Sequence, residues 1–274
     1  MELKAYLKQR QVLINRALGT LLPPAREFPV SIHRAMRYSV LGEGKRIRPI
    51  LVLAACEAIG GKVSRVLPIA CALELIHAYS LVHDDLPAMD NDDFRRGKPS
   101  CHKQFGEALG VLTGDALLTF SFELLTQGNH LPDSVRLKVI REIAQAIGTQ
   151  GMIGGQVADV AFTQGKLRPQ MLEYVNTRKT GALIAASVRV GALLGGASPK
   201  EYRLLSSYGR KIGLVFQLVD DLLDGDGAAR THGSEVVRKR AHRLTQSAID
   251  SLAPLGKKAQ SLKALAQFIL TRNA

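Results

Sequence analysis

A chain of 274 residues, 46% hydrophobic and 22% charged, is globular with a substantial core, which excludes a disordered or fibrous protein. Its net charge of +13 suits an anionic partner such as polyphosphate, nucleic acid or a membrane surface. The basic residues are spread along the chain, aromatics make up 5% and tryptophan is absent, so a stacking platform for single-stranded nucleic acid is not supported.

The first ten residues carry charges with no apolar run behind them, which argues against a secretory signal. Ile32, Ala35, Met36 and Val40 then recur at helical spacing after Ser31, a residue suited to an N-cap. Leu67 to His83 is apolar almost all round, as is Ile212 to Leu223; both predict helices buried in a large bundle. Leu137, Ile140, Ala144 and Ile147 form a stripe after Ser134, and Leu262, Leu265, Phe268 and Ile269 form a last one. Turn signals at Leu22 to Pro24, Gly42 to Gly44, Asp90 to Pro99, Gly128 to Pro132, Gly165 to Pro169 and Gly225 to Gly233 cut the chain into helices of ordinary length. No stretch shows sustained strand alternation, and no linker divides the chain. The expectation is one all-α domain over residues 1–274. Cys56, Cys71 and Cys101, odd in number and without metal-ligand spacing, argue against disulfides and zinc and for a reducing compartment. Leu51 to Ala55 and Gly181 to Gly196 are too short, or interrupted by Arg189, to cross a bilayer, so a cytoplasmic protein with no membrane or nucleic-acid partner is expected.

Three segments carry chemistry. In Asp220-Asp221-Leu222-Leu223-Asp224, Asp220 and Asp224 share a helix face and repel each other, so a positive partner must compensate. Hard carboxylate oxygens suit Mg²⁺, which binds through a few carboxylates plus substrate phosphates; a solvated acidic helix end is the bland alternative. The second segment runs from Asp84-Asp85 to Asp90 and on through Asp92-Asp93-Phe94-Arg95-Arg96-Gly97. Pro87 should break the helix and fold Asp90 back beside Asp84, and the two arginines are placed to grip diphosphate oxygens. Five aspartates followed by a basic turn are hard to explain as a solvated face. The third is Gly42-Glu43-Gly44-Lys45-Arg46-Ile47-Arg48-Pro49, a loop ahead of a helix whose Lys45 and Arg48 could converge on a phosphate, although the spacing is not that of a Walker A loop.

These segments, with Gly154-Gly155-Gln156-x-x-Asp159, Lys179-Thr180-Gly181 and Phe216-Gln217 ahead of Asp220, occur in an order that resembles the trans-prenyltransferases, the bacterial farnesyl/geranylgeranyl diphosphate synthase family, from about Met1 to Arg272-Asn273. The resemblance implies an all-α bundle around a deep cavity, usually a homodimer, in which an allylic diphosphate ionises and the double bond of isopentenyl diphosphate attacks the cation. It implies Mg²⁺ bound by Asp84 and Asp90 from one wall and Asp220 from the other, with Asp85, Asp221 and Asp224 orienting cations and metal waters from behind. Arg95, Lys179 and Gln217 would hold the allylic diphosphate, Lys45, Arg48, His77 and Arg96 would hold isopentenyl diphosphate, and Thr180 would face the cation. His77 has a plainer alternative as a core histidine.

Tyr79 lies five residues before Asp84, roughly 7–8 Å along a helix. Its ring would floor the cavity and favour farnesyl diphosphate, as an aromatic there does in similar synthases. Ser80 leaves one side open, so geranylgeranyl diphosphate is the alternative product. The chain departs from the family after Asp224, where a long polar loop with lysines gives way to Gly225-Asp226-Gly227 and a short run to Ser234. Loss of that loop would impair closure over the diphosphate and raises a non-catalytic synthase-like subunit as a rival; both aspartate clusters are intact, which disfavours it. The Asp220 to Asp224 pattern is also not that of a terpene cyclase, and a basic helical nucleic-acid binder is the remote alternative.

Overall fold

The computed structural model describes residues 3–127, 131–163, 171–225 and 227–272. The turn expected at Gly165 to Pro169 and part of the one at Gly128 to Pro132 lie outside them. The fold is all-α as expected, with two strands of two residues each among the described residues. Its contacts divide it into two compact units, Met1–Ile50 with Ser64–His130, and Leu51–Val63 with Leu131–Ala274.

In the first unit α1 (Leu3–Leu21) and α2 (Val30–Val40) precede α3 (Ile47–Ile59), whose first turn belongs here. α2 buries Ala35, Met36 and Val40, as its stripe predicts. It begins before Ser31, however. Pro29, with ψ of 117°, is the last extended residue, and no side chain caps the helix. α4 (Val63–Asp84) buries twelve side chains, from Val66 to Val82, which is why its sequence is apolar all round. Beyond it, β1 (Phe94–Arg95) and β2 (Lys98–Pro99) form a hairpin that the sequence did not announce. Arg96 and Gly97, at φ of 53° and 74°, turn it; two left-handed residues in a row match the natural twist of a two-residue hairpin. α5 (Cys101–Phe105) and α6 (Glu107–Thr126) complete the unit. α4 and α6 are both long and apolar enough to cross a membrane, but two-thirds of α4's most apolar stretch is buried in the protein. α6 is less covered, with Val111 and Leu112 exposed on one side.

In the second unit α7 (Asp133–Ile147) follows Pro132, so Ser134 is again inside the first turn rather than capping it. The buried face is Val139, Ile143, Ala146 and Ile147, while Leu137 is exposed. Two overlapping apolar stripes run along this helix, and packing selects the one the periodicity did not. α8 (Met152–Thr163) leads to α9 (Leu172–Asn176), a π-helical turn (Thr177–Gly181) and α10 (Ala182–Leu194). α11 (Pro199–Asp224) starts on a capping box between Ser198 and Glu201 and ends on Gly225 at φ 69°. Short α12 (Gly227–His232), α13 (Ser234–Ser251), a 3₁₀ segment (Ala253–Ala259) and α14 (Gln260–Thr271) follow. α14 buries Leu262, Leu265 and Ile269, the predicted stripe, and the Tyr208 hydroxyl of α11 donates to the Leu262 carbonyl at 2.6 Å.

All three cysteines are unpaired and buried. Burial, then the charge of Glu74, pushes the Cys71 thiol up to about 12.

Arg46 is 3% exposed and adopts φ 52°. Its guanidinium donates to Glu74 at 2.7 Å, to Asn15 at 2.9 Å and to the carbonyls of Val40 and Gly42 at 2.8 and 2.7 Å. Removing one partner of a buried pair strands the other charge, which costs about 3–5 kcal/mol. Glu74→Ala is therefore expected to lower the urea midpoint of unfolding well beyond the effect of a surface substitution, and an unchanged midpoint would show the pair to be dispensable.

Candidate active site

In the first unit the end of α4 does what Pro87 predicts. The Asp90 N–H donates to the Asp84 carbonyl at 2.9 Å, and the N–H groups of Met89 and Asn91 both reach Leu86 O. Asp84 and Asp90 are thus drawn together, the first half-buried and the second exposed. Asp85 points inward at 2% exposure and takes the guanidinium of Arg95 through two donors. Arg95 also reaches Asp92 at 2.8 Å, and Lys103 pairs with Asp93 at 2.8 Å. Burial raises the Asp85 carboxyl above its usual range against the opposing pull of Arg95. For Arg95, burial works to lower the guanidinium, but the bond and charge of Asp85 outweigh it and the net shift is upward. Five aspartates in ten residues are therefore not equivalent: two converge at a break in the backbone, and three steer cations.

Arg96, in the hairpin turn, donates to the Glu43 carbonyl at 2.6 Å, which ties the turn to the glycine loop. Gln11 holds the same loop through Gly44 O at 2.7 Å. A small cavity of about 50 Å³ lies among Tyr38, Asp85, Arg95, Arg96 and Lys98. The three cations of the Lys45-Arg46-Ile47-Arg48 run part ways: Arg46 is structural, Lys45 is exposed and Arg48 is half-buried in the first turn of α3. His77 lies within the fields of Arg48, Arg96, Arg46 and Arg95; burial first, then these charges, holds its ring well below the ordinary histidine range and so neutral. Tyr79 is 6% exposed, its ring edge-on to His83 at 5.9 Å, and its hydroxyl has no hydrogen-bond partner among the described residues. Burial and the charge of Asp84 push that phenol up to about 12.

In the second unit Asp221 is 3% exposed and accepts from Asn176 at 3.0 Å, from Gln217 at 2.9 Å and from the Ala228 N–H at 2.9 Å. Asp220 takes Arg272, whose guanidinium also donates to Phe216 O at 2.8 Å and stacks over the Phe216 ring at 3.6 Å. Asp224 is exposed one turn on. Lys179 pairs with Asp159 at 2.7 Å from the π-helical turn, a distortion often found at functional sites. That turn is clamped by close backbone approaches. A Cβ on Gly155 of α8 would lie 2.2 Å from the Lys179 nitrogen, and one on Gly213 of α11 would lie 2.7 Å from Gly181 O. Only glycine fits at either place. Thr180 is half-buried in the same turn.

Asp84, Asp85, Asp90, Arg95 and Arg96 come together in the first unit, where Lys45 lies on the glycine loop, Arg48 on α3 and His77 and Tyr79 on α4; Gln217, Asp220, Asp221 and Asp224 end α11 in the second, with Lys179 and Thr180 on the π-helical turn. Periodicity gave no hint of Arg272, which lies 52 residues from Asp220 in the chain, nor of Asn176. The positive partner that Asp220 and Asp224 require was foreseeable; its identity was not. Among the described residues no three His, Cys, Asp or Glu side chains form a ready-made metal cage. The pairs Asp84 with Asp90 and Asp220 with Asp224 could hold a divalent cation whose remaining ligands are water and phosphate oxygens, the arrangement Mg²⁺ favours.

Residues 29–251 match the polyprenyl synthetase family model. The chain is 43% identical to the farnesyl diphosphate synthase of Geobacillus stearothermophilus over 92% of its own length and 86% of that protein. It is 42% identical to the large subunit 1 of a heterodimeric geranylgeranyl pyrophosphate synthase of Arabidopsis thaliana chloroplasts, over 98% of the chain and 79% of that protein. Its structure superimposes on that of an FPP/GFPP synthase from Zymomonas mobilis with a TM-score of 0.93 and 38% identity, covering 98% and 99% of the two chains. The chain belongs to the polyprenyl synthetase family, and its enzymatic class is that of the prenyltransferases.

Because folded His77 resists protonation while the unfolded chain titrates near 6.5, the unfolded state binds more protons just below that pH. The histidine's contribution thus favours folding less as pH falls through and below 6.5. His77→Gln should flatten the loss of stability in that window, measured as the urea midpoint at successive pH values; parallel profiles for variant and wild type would refute it.

Proposed function

We propose that the protein condenses isopentenyl diphosphate with dimethylallyl or geranyl diphosphate to give farnesyl diphosphate, residues 1–274 working as one synthetase domain. The observation that carries this reading is the segment from Asp84 to Arg96. It presents a backbone-linked aspartate pair together with a guanidinium aimed by two further aspartates. Carboxylates suited to a divalent cation beside cations suited to phosphate are what a metal–diphosphate substrate demands.

Asp84, Asp90 and Asp220 would hold Mg²⁺, which supplies charge neutralisation for the departing diphosphate. The chain's own cations bind the rest of that charge. Arg95, held by Asp85, and Lys179, held by Asp159, meet the allylic diphosphate already oriented, so little reorganisation accompanies bond cleavage. Gln217 gives one amide hydrogen to Asp221 and keeps a second for the same diphosphate. Lys45, Arg48 and Arg96 bind isopentenyl diphosphate, and neutral His77 adds a hydrogen bond without adding charge. The carbon–oxygen bond breaks with its electrons on the diphosphate, and Thr180 faces the allylic cation. The isopentenyl double bond then forms the new carbon–carbon bond, and the released diphosphate takes the proton.

The buried ring of Tyr79 supports a short product. Geranylgeranyl diphosphate is the second reading, favoured by the half-buried, small Ser80 beside it and by the division of the named relatives between the two products. Unpaired buried cysteines suit a cytoplasmic protein, and the exposed apolar side of α6 suits a homodimer. The alignment to the Arabidopsis protein runs over 294 positions against 274 residues here, so that relative carries residues this chain lacks. This fits the short passage from Asp224 to Ser234.

Incubation with Mg²⁺, labelled isopentenyl diphosphate and each allylic starter, followed by chromatography of the dephosphorylated products, is expected to yield a metal-dependent C15 alcohol. A C20 alcohol would leave the chemistry standing and overturn the role of Tyr79. No product from either starter would bring forward the non-catalytic subunit. Tyr79→Ala is expected to shift the product towards longer chains, and an unaltered distribution would show that another residue floors the cavity.

A further inference from the structure

The second unit holds a groove of about 790 Å³ that none of the predicted site residues lines. Four elements each contribute an arginine to it: Arg141 from α7, Arg178 from the π-helical turn, Arg189 from α10 and Arg210 from α11. No carboxylate lines it among the described residues. Among the described residues only Arg189 of the four has a carboxylate within hydrogen-bond reach, Glu142 at 2.6 Å, and that carboxylate is shared with the Tyr202 hydroxyl at 2.7 Å. Arg178 is held in place by the Gln150 carbonyl at 2.8 Å and lies over the Tyr174 ring at 5.6 Å, contacts that fix the guanidinium without cancelling its charge. The three guanidinium charges left, on Arg141, Arg178 and Arg210, repel each other and persist only with solvent or an anion between them.

The walls say what kind of anion. Ala144, Ala182, Ala185 and Leu214 give the groove an apolar floor, and its volume falls in the range of cavities that take small organic ligands. A bare phosphate would satisfy the arginines and leave that floor wet. We propose that this groove is a second binding site, for a phosphate- or diphosphate-headed hydrocarbon of isoprenoid type, with the head on Arg141, Arg178 and Arg210 and the chain along the alanines. The isoprenoid part of this assignment rests on the function proposed above; the anionic part does not. The groove is also coupled by covalent adjacency to the chemistry. Arg178 faces it, while the next residue, Lys179, pairs with Asp159 in the same clamped turn, so an anion drawing on Arg178 acts on a segment that cannot shift one residue without the other.

Geranyl monophosphate, inorganic phosphate and geraniol, each titrated calorimetrically into the protein in EDTA, test this without any need for turnover. Geranyl monophosphate is expected to bind at least tenfold more tightly than either of the others. The doubly substituted Arg141→Glu, Arg210→Glu protein should bind it at least tenfold more weakly. Both residues are exposed and outside the proposed catalytic machinery, so the variant should fold and keep its condensation activity within about twofold. Equal affinity of wild type and variant would overturn the site. Inorganic phosphate binding as tightly as geranyl monophosphate would overturn the assignment of an apolar chain to the floor. A wild type that binds geranyl monophosphate through these arginines and yet forms no prenyl product would sink the proposed function alone and leave the groove as an anionic-lipid site.

Discussion

A carboxylate at the end of an apolar helix is costly unless something donates to it, and the architecture of both units answers that single requirement. Asp221, all but inaccessible to solvent, collects a side-chain amide from the end of α9, a second from its own helix and a backbone N–H from α12. Three segments are fixed by one side chain. Asp85 plays the same part on α4, where the donor is a guanidinium carried on a two-residue hairpin turn. In each unit a buried acid sets the position of polar groups, and less buried acids, Asp84 and Asp90 in one and Asp220 and Asp224 in the other, stand beside it. On the function proposed above, stability and chemistry would draw on adjacent members of the same aspartate cluster.

That division of labour explains which parts of the site could be read directly from the sequence. The break at Pro87, the return of Asp90 to Asp84 and the proximity of Arg95 are local consequences of proline and short-range spacing, and each is present. The fold class followed from long apolar helices such as α4. What escaped notice depends on partners distant in sequence. Arg46 stands among phosphate-type cations but belongs to Glu74, since a guanidinium at 3% exposure must be fully hydrogen-bonded inside. Arg272 sits just past a stripe of core residues, with nothing around it to indicate that it crosses to α11. The hairpin was hidden because a four-residue strand pair offers no alternation to detect. Helix α7 had two candidate faces, and only tertiary contact chose between Leu137 and Val139.

The π-helical turn shows how rigidity can be obtained without bulky side chains. Its backbone is gripped from α8 and α11 by glycines whose missing Cβ atoms admit direct main-chain contact. Lys179 is thus aimed by backbone packing and then held by Asp159, two independent constraints on one ammonium group. A lysine without such support would lose more side-chain freedom on gripping a diphosphate.

The pairing of Asp220 with Arg272 also has a bearing on biosynthesis. Translation proceeds from the amino terminus, so the acidic end of α11 leaves the ribosome 52 residues ahead of its counter-charge. Until α14 is made and docks, Asp220 lacks the Arg272 guanidinium, whereas the donors to Asp221 from Asn176, Gln217 and the Ala228 N–H are already made. Arg272, just past α14, therefore reaches Asp220 only after the whole of α11 has been made, so this contact forms in the order in which the chain is synthesised.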